Sequence, residues 1–259
     1  MLMYELFARW QEYMLAAALI YARIAVIFLF LPFLNNNVLG HMVTRNAVIL
    51  LLIFGLWPLV GADVSQVNGG DYAVLALKEA VVGLALGCMV AFPFWVFHAI
   101  GAYIDVARGA TISSSIDPVN GLESAESSNL LNLFAGVVFL EAGGMQLLLS
   151  LLIDSYQQVG LLNSIEIRLE TLIPYLGRLV ANSFMLAAPV LLTLILSELL
   201  LGLLSRFTPQ MNAFSVSLTI KSMIAFFIFM IYFGPVFPGE MMKMMGDFAG
   251  YELFVRGGR

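Results

Sequence analysis

Long apolar runs alternate with short polar breaks along this chain. A helix crosses a bilayer with about 20 mostly apolar residues. The first such run covers 14–34, and "PFLNNNVLGHMVTRN" closes it with Pro32, three asparagines and Gly40, all turn formers. The second, over 46–60, is short and ends in "GADVSQVNGGD". The third, over 72–104, is long, carries Lys78 and Glu79 in its first turns and has a predicted kink at Pro93. The fourth, over 129–153, holds Glu141 and Gly143–Gly144 in its middle. The fifth, over 179–204, contains Pro189 and Glu198. The sixth, over 214–233, ends at "GPVFPGE", before a Met-rich tail. Between the fourth and fifth runs lies a polar connection, 154–178. Its apolar positions Leu161, Ile165, Leu169 and Leu172 recur at helical spacing and predict a short amphipathic helix.

The pattern predicts an all-α membrane protein of about six long, partly kinked hydrophobic helices in hairpins. The whole chain, 1–259, reads as one integral membrane domain. Composition agrees. The chain is 61% hydrophobic and 11% charged, against about 45–50% and about 25% in soluble domains. Mean hydropathy is +0.94. Lipid or a large apolar partner must act as its solvent. A net charge of −5 without clustered Lys and Arg excludes a nucleic-acid surface. Cys88 is the single cysteine, so neither a disulfide nor a cysteine-rich metal site is expected. The N-terminal stretch, with Glu5, Arg9 and Glu12, does not read as a cleaved signal peptide.

Charges inside the apolar runs are the next feature. Arg23, Lys78, Glu79, Glu141 and Glu198 all fall in or beside them. Each costs about 2.5–3.5 kcal/mol at a helix centre on insertion scales, so such groups face protein or water. Lys78 and Glu79 suit either a membrane interface, where lysine snorkels, or a protein contact. Glu141 and Glu198 suit either an interhelical hydrogen bond or an ion path. Topology is weakly encoded. An even number of spans with both termini inside places Arg9, Arg168, Arg178, Lys243, Arg256 and Arg259 in the cytoplasm, but Arg45, Arg108, Arg206 and Lys221 outside.

Catalytic signatures do not emerge. His41 sits in a loop without Cys, Asp or Glu at ligand spacing. His98, in "FPFWVFHAIGAYID", reads as making one hydrogen bond within an aromatic region. Neither G-x-S-x-G, H-E-x-x-H nor a nucleotide-binding loop occurs. The sequence therefore predicts no enzyme, no metal and no cofactor. "GLALG", from Gly83 to Gly87, is a small-xxx-small pattern that permits close helix approach. A secondary transporter or ion channel for a small solute, using Glu141 and Glu198, is the alternative function. It lacks a convincing internal repeat around Pro93 and Pro189.

Two blocks go beyond generic membrane chemistry: "IDVARGATISSSIDPVNGLESAESSNLLNLFAGVVFL" and "LLTLILSELLLGLLSRFTPQMNAFSVSLTIKS". With "IFLFLPFLNN" and "EAVVGLALGCMVAFPFWVFHAIG" they resemble the T-type inner-membrane export-apparatus proteins of virulence type III secretion systems. That family includes SpaR-like proteins and is related to flagellar FliR. The likeness covers nearly the whole chain and is weakest over 154–178 and the tail.

The resemblance implies a non-enzymatic structural subunit of an export gate in the bacterial inner membrane. Implied partners are R-type and S-type export-apparatus membrane proteins in a helical, cone-like assembly. A switch protein, an export ring and unfolded substrate chains complete the set. It also implies that the loop over 105–128 plugs the closed channel. On that reading Arg108, Gly109, Ile112, Ser113, Ser114, Ser115, Ile116, Asp117, Pro118 and Gly121 are gating residues. Three serines let backbone crowd a narrow lumen, Asp117-Pro118 and Asn120-Gly121 favour turns, and Arg108 and Asp117 are free to pair with each other or with a neighbour. Glu141, Glu198, Arg206, Pro209, Gln210, Asn212, Ser215, Thr219, Lys221 and Ser222 form the expected assembly or lumen surface. Ser215, Thr219 and Ser222 make a polar stripe on the sixth helix, which would be costly against lipid.

Overall fold

The computed structural model describes residues 2–34, 41–60, 69–109, 126–162, 165–167, 172–207, 213–246 and 255–257. Seven α-helices are present among them: α1 (Leu2–Phe30), α2 (Met42–Val60), α3 (Gly69–Ala107), α4 (Glu126–Glu141), α5 (Gly144–Gln158), α6 (Leu172–Phe207) and α7 (Ala213–Gly246). A 3-10 turn, Pro32–Leu34, follows α1. Two short strands, β1 (Ile165–Ile167) and β2 (Val255–Gly257), pair antiparallel with Glu166 opposite Arg256. The protein is an all-α membrane protein: α1, α3, α6 and α7 are each long and apolar enough to cross a bilayer. The bent pair α4–α5 supplies a broken span or re-entrant segment, and α2 is shorter in its apolar part.

All six apolar runs become helix, but their ends differ from the sequence pattern. The fourth run is two helices, broken at Ala142–Gly143, where Gly143 takes φ 78°. The sixth does not stop at "GPVFPGE": α7 continues through Pro235 and Pro238 to Gly246. Phe237 and Met241 are wholly buried, so packing outweighs the single donor that each proline removes. The described residues of the connection 154–178 do not form the expected amphipathic helix. Leu161 lies in a turn, Ile165 in β1 and Leu172 at the start of α6, while Leu169 is outside the described residues. Lys78 Nζ binds the carbonyls of Gly160 and Leu161 at 2.8 and 2.6 Å. A continuing helix would need those carbonyls for its own N–H groups.

The chain divides into two compact units. The first comprises Met1–Phe92, Leu140–Pro174 and Met245–Arg259. Its core is built from Leu19, Ile24 and Phe28 of α1, Ile49 and Ile53 of α2, Val82 and Leu86 of α3, and Leu148 and Leu152 of α5. Gly83 lies so close to the backbone of Arg23 that a Cβ there would collide with its carbonyl. Gly87 is nearly as close, since a Cβ there would meet the Phe30 ring and the Ile27 Cα, so both glycines of "GLALG" do what their spacing suggests and let α1 and α3 touch.

The second unit comprises Pro93–Phe139 and Tyr175–Met244. Its core is aromatic. Phe97 meets Phe237 edge-on at 5.3 Å, Phe94 meets Phe139 at 5.4 Å, and Phe134 meets Phe233 at 4.1 Å. Burial is uneven. The most apolar window of α3 is 61% buried, against 28% for α6 and 17% for α7. The apolar faces of α6 and α7 therefore need lipid or other protein.

Candidate functional site

The break between α3 and α4 is built from both of its ends. Gly109 adopts φ 82°, the left-handed conformation that stops a helix without a Cβ penalty, and its N–H bonds the Val106 carbonyl at 3.0 Å. One turn earlier stands Asp105, buried on α3. Its Oδ1 accepts from Arg108 Nε at 2.8 Å and from the Ser127 hydroxyl at 2.6 Å. Its Oδ2 accepts the backbone N–H of Ser127 at 3.0 Å. That N–H belongs to the first turn of α4, where helix donors have no intrahelical partner. The Asp105 carboxylate thus caps α4 from another helix, with the sign that the helix dipole favours. Arg108 also lies over the Phe226 ring of α7, 5.1 Å from its centroid. Just behind, a Cβ on Gly101 would collide with the backbone of Ser128. The result is a tight stem, held by one carboxylate, with the loop between its two ends.

The stem changes the sequence reading. Arg108 pairs with Asp105, three residues before it, in a 2.8 Å ion pair. Asp117, one of the two partners considered for it beside a neighbouring subunit, lies outside the described residues, as do Ile112, Ser113, Ser114, Ser115, Ile116, Pro118 and Gly121. Asp105 and Ser127 were not singled out in the sequence. The available signals were the i,i+3 spacing of Asp105 and Arg108 and the serines that open the α4 run.

The expected assembly surface is only partly brought together. Lys221 of α7 is buried and pairs with Glu198 of α6 at 2.9 Å, while the Glu198 side chain stays 67% exposed. Arg206 and Thr219 are exposed and Ser222 is half-buried. The side chain of Ser215 and all of Pro209, Gln210 and Asn212 lie outside the described residues. Glu141 is exposed at the end of α4. His98 meets Asn132 at 3.0 Å from an exposed position.

A second polar centre lies in the first unit. Arg23, wholly buried, donates from Nε to Glu79 at 2.7 Å, from one terminal nitrogen to the Ser155 hydroxyl at 2.9 Å, and from the other to the Val159 carbonyl at 2.9 Å. Its guanidinium lies 3.8 Å from the Tyr156 ring centroid. Lys78 reaches the other Glu79 oxygen at 3.0 Å. Two cations and one anion leave a local excess of positive charge, next to the carbonyls at the C-terminal end of α5, where the helix dipole is negative. Lys78 and Glu79 therefore serve a protein contact, and Glu79 is wholly buried.

The chain matches the model of the family "Bacterial export proteins, family 1" over residues 14–247. It is 46% identical to the surface presentation of antigens protein SpaR of Salmonella typhimurium, over 93% of this chain and 91% of that one. It is 29% identical to the Yop proteins translocation protein T of Yersinia pestis, over 86% and 87%. The flagellar biosynthetic protein FliR of Bacillus subtilis is 27% identical, again over 86% and 87%.

Proposed function

The chain belongs to the bacterial export proteins, family 1, as a T-type type III export protein, and from that membership we propose that it is a structural, non-enzymatic subunit of the export gate. On this reading it acts in the bacterial inner membrane as one membrane-embedded piece. It completes a channel for unfolded secreted proteins and obstructs that channel until secretion begins. Its partners are R-type and S-type membrane proteins, with a switch protein and an export ring of the same system.

The observation that carries the reading is the family match over 14–247, which takes in the loop, its stem and both polar centres. The stem fits a plug in physical terms. A plug must hold its position against a pressure of substrate yet release without unfolding its supports. Asp105 ties the end of α3 to the start of α4 through Arg108 and Ser127, so the two helices that flank the loop stay fixed to each other. The weakly buried faces of α6 and α7 supply apolar area for partner subunits. Glu198 and Lys221 place a paired charge on that surface, where lipid contact would be costly.

The test is a deletion of 109–115 in cells making the complete system. Ion leakage across the membrane should rise through an assembled complex. Unchanged leakage, with assembly verified, contradicts the plug.

A further inference from the structure

Helix α5 is unlike the long apolar helix α6 in what it exposes. Its exposed residues are Gln146, Ser150, Asp154, Gln157 and Gln158. Every one is polar. The exposed positions of α6 are, by contrast, mostly leucine, isoleucine and phenylalanine, Leu192, Ile195, Leu199 and Phe207 among them. At about 100° per residue, Gln146, Ser150, Asp154 and Gln157 fall within a sector of about 80°. The buried residues Leu148, Leu151, Leu152, Ser155 and Tyr156 occupy the opposite side. The polar row thus runs the length of the helix, which with α4 makes a bent pair that is either a broken span or a re-entrant segment.

The rotation of α5 about its axis is fixed. Arg23 grips Ser155, Tyr156 and Val159 on the buried side. Turning the polar row inward would tear out that buried guanidinium. Lipid is a poor neighbour for the row, because amide and carboxylate groups have no partners in hydrocarbon. Ser150 meets its own need, by donating to the Leu147 carbonyl at 2.8 Å.

We infer that the α5 row Gln146–Ser150–Asp154–Gln157 lines an aqueous passage, and that its ligand class is an extended polypeptide segment in transit. The inference rests on the export reading above. Amides and a hydroxyl exchange hydrogen bonds with any backbone, so they favour no particular sequence. One carboxylate and no cation give the row a mild preference against acidic segments.

Cysteine labelling tests it. Cys88 is the chain's only cysteine, so Cys88→Ala gives a clean background in which secretion is measured first. Gln146→Cys, Ser150→Cys, Asp154→Cys and Gln157→Cys are then treated with a charged, membrane-impermeant thiol reagent in the assembled complex. Leu199→Cys and Met230→Cys serve as apolar controls. Labelling of the four should be several-fold faster than of the controls. It should fall when a substrate fused to a tightly folded domain is arrested in the channel. Four residues as slow as the controls, in a strain that secretes, overturn the inference. So does fast labelling unaffected by the arrested substrate, which would mark α5 as a surface helix. Ser150→Cys exchanges only oxygen for sulfur, so it decides the matter if a larger replacement lowers the protein's level. Failure of the export reading itself looks different: a strain lacking the chain would still secrete.

Discussion

Arg23 is the residue whose environment carries the sharpest stability prediction. Its charge is buried with that of Glu79, and removing one partner strands the other. Loss of one member of a buried pair typically costs about 3–5 kcal/mol, whereas replacing both by apolar residues of similar volume is often close to neutral. Arg23→Met and Glu79→Leu should each lower the thermal midpoint of the detergent-purified protein, and the double variant should lie above both singles. A double variant as unstable as the sum of the singles would refute a pairing role. The charges themselves were visible in the sequence. Their partners were not, because Arg23 reaches Glu79 across 56 residues and Ser155 across 132, and nothing local specifies contacts of that range.

Asp105 is the matching case at the loop. Asp105→Ala removes the acceptor of three hydrogen bonds and strands Arg108 in a mostly buried place. Asp105→Asn keeps the shape and one acceptor oxygen but not the charge. Hydrogen bonds to charged groups contribute about 1.5–3 kcal/mol each. Leakage should therefore rise in the order wild type, Asp105→Asn, Asp105→Ala, with assembly retained in all three. Equal leakage in the series would show that the stem does not position the loop. Arg108 was picked from the sequence, but for Asp117 or a neighbouring subunit. The local partner Asp105 was overlooked because its i,i+3 spacing looks like any surface helix pair.

At the scale of elements, existence was legible and termination was not. Each apolar run became helix because a chain this apolar must satisfy its backbone internally. The prolines near 235–238 read as a stop, yet α7 passes through them because Phe237 holds the helix in an aromatic core. The fourth run read as one helix, yet Gly143 breaks it. The connection read as helical by spacing, but Lys78 takes its turn carbonyls. Gly101 offers a test of element packing. Gly101→Val would force α3 and α4 apart at Ser128, and overpacking of this kind costs about 1–3 kcal/mol. A fall in thermal midpoint is expected, together with weaker stem closure seen as leakage. A fully stable, tight variant would mean that the helices do not approach as closely as Gly101 and Ser128 imply. Glu198→Gln should also lower the midpoint, because it removes the anionic partner of the buried Lys221.

On the scale of the whole molecule, the membrane class was plain from 61% apolar and 11% charged residues. The weak positive-inside bias was also readable, and it fits a chain whose arrangement is set by protein neighbours as well as lipid. The extent of unburied apolar surface was not readable. Only 17% of the apolar window of α7 is buried, a number that depends on packing. A subunit built this way should be incomplete alone. Co-expression with the R-type and S-type proteins, purification through a tag on this chain and measurement of the complex mass is the most direct test. The expected result is a single species containing all three proteins and heavier than this chain by several subunits. A well-behaved monomer that never brings the other two with it would contradict the gate assignment.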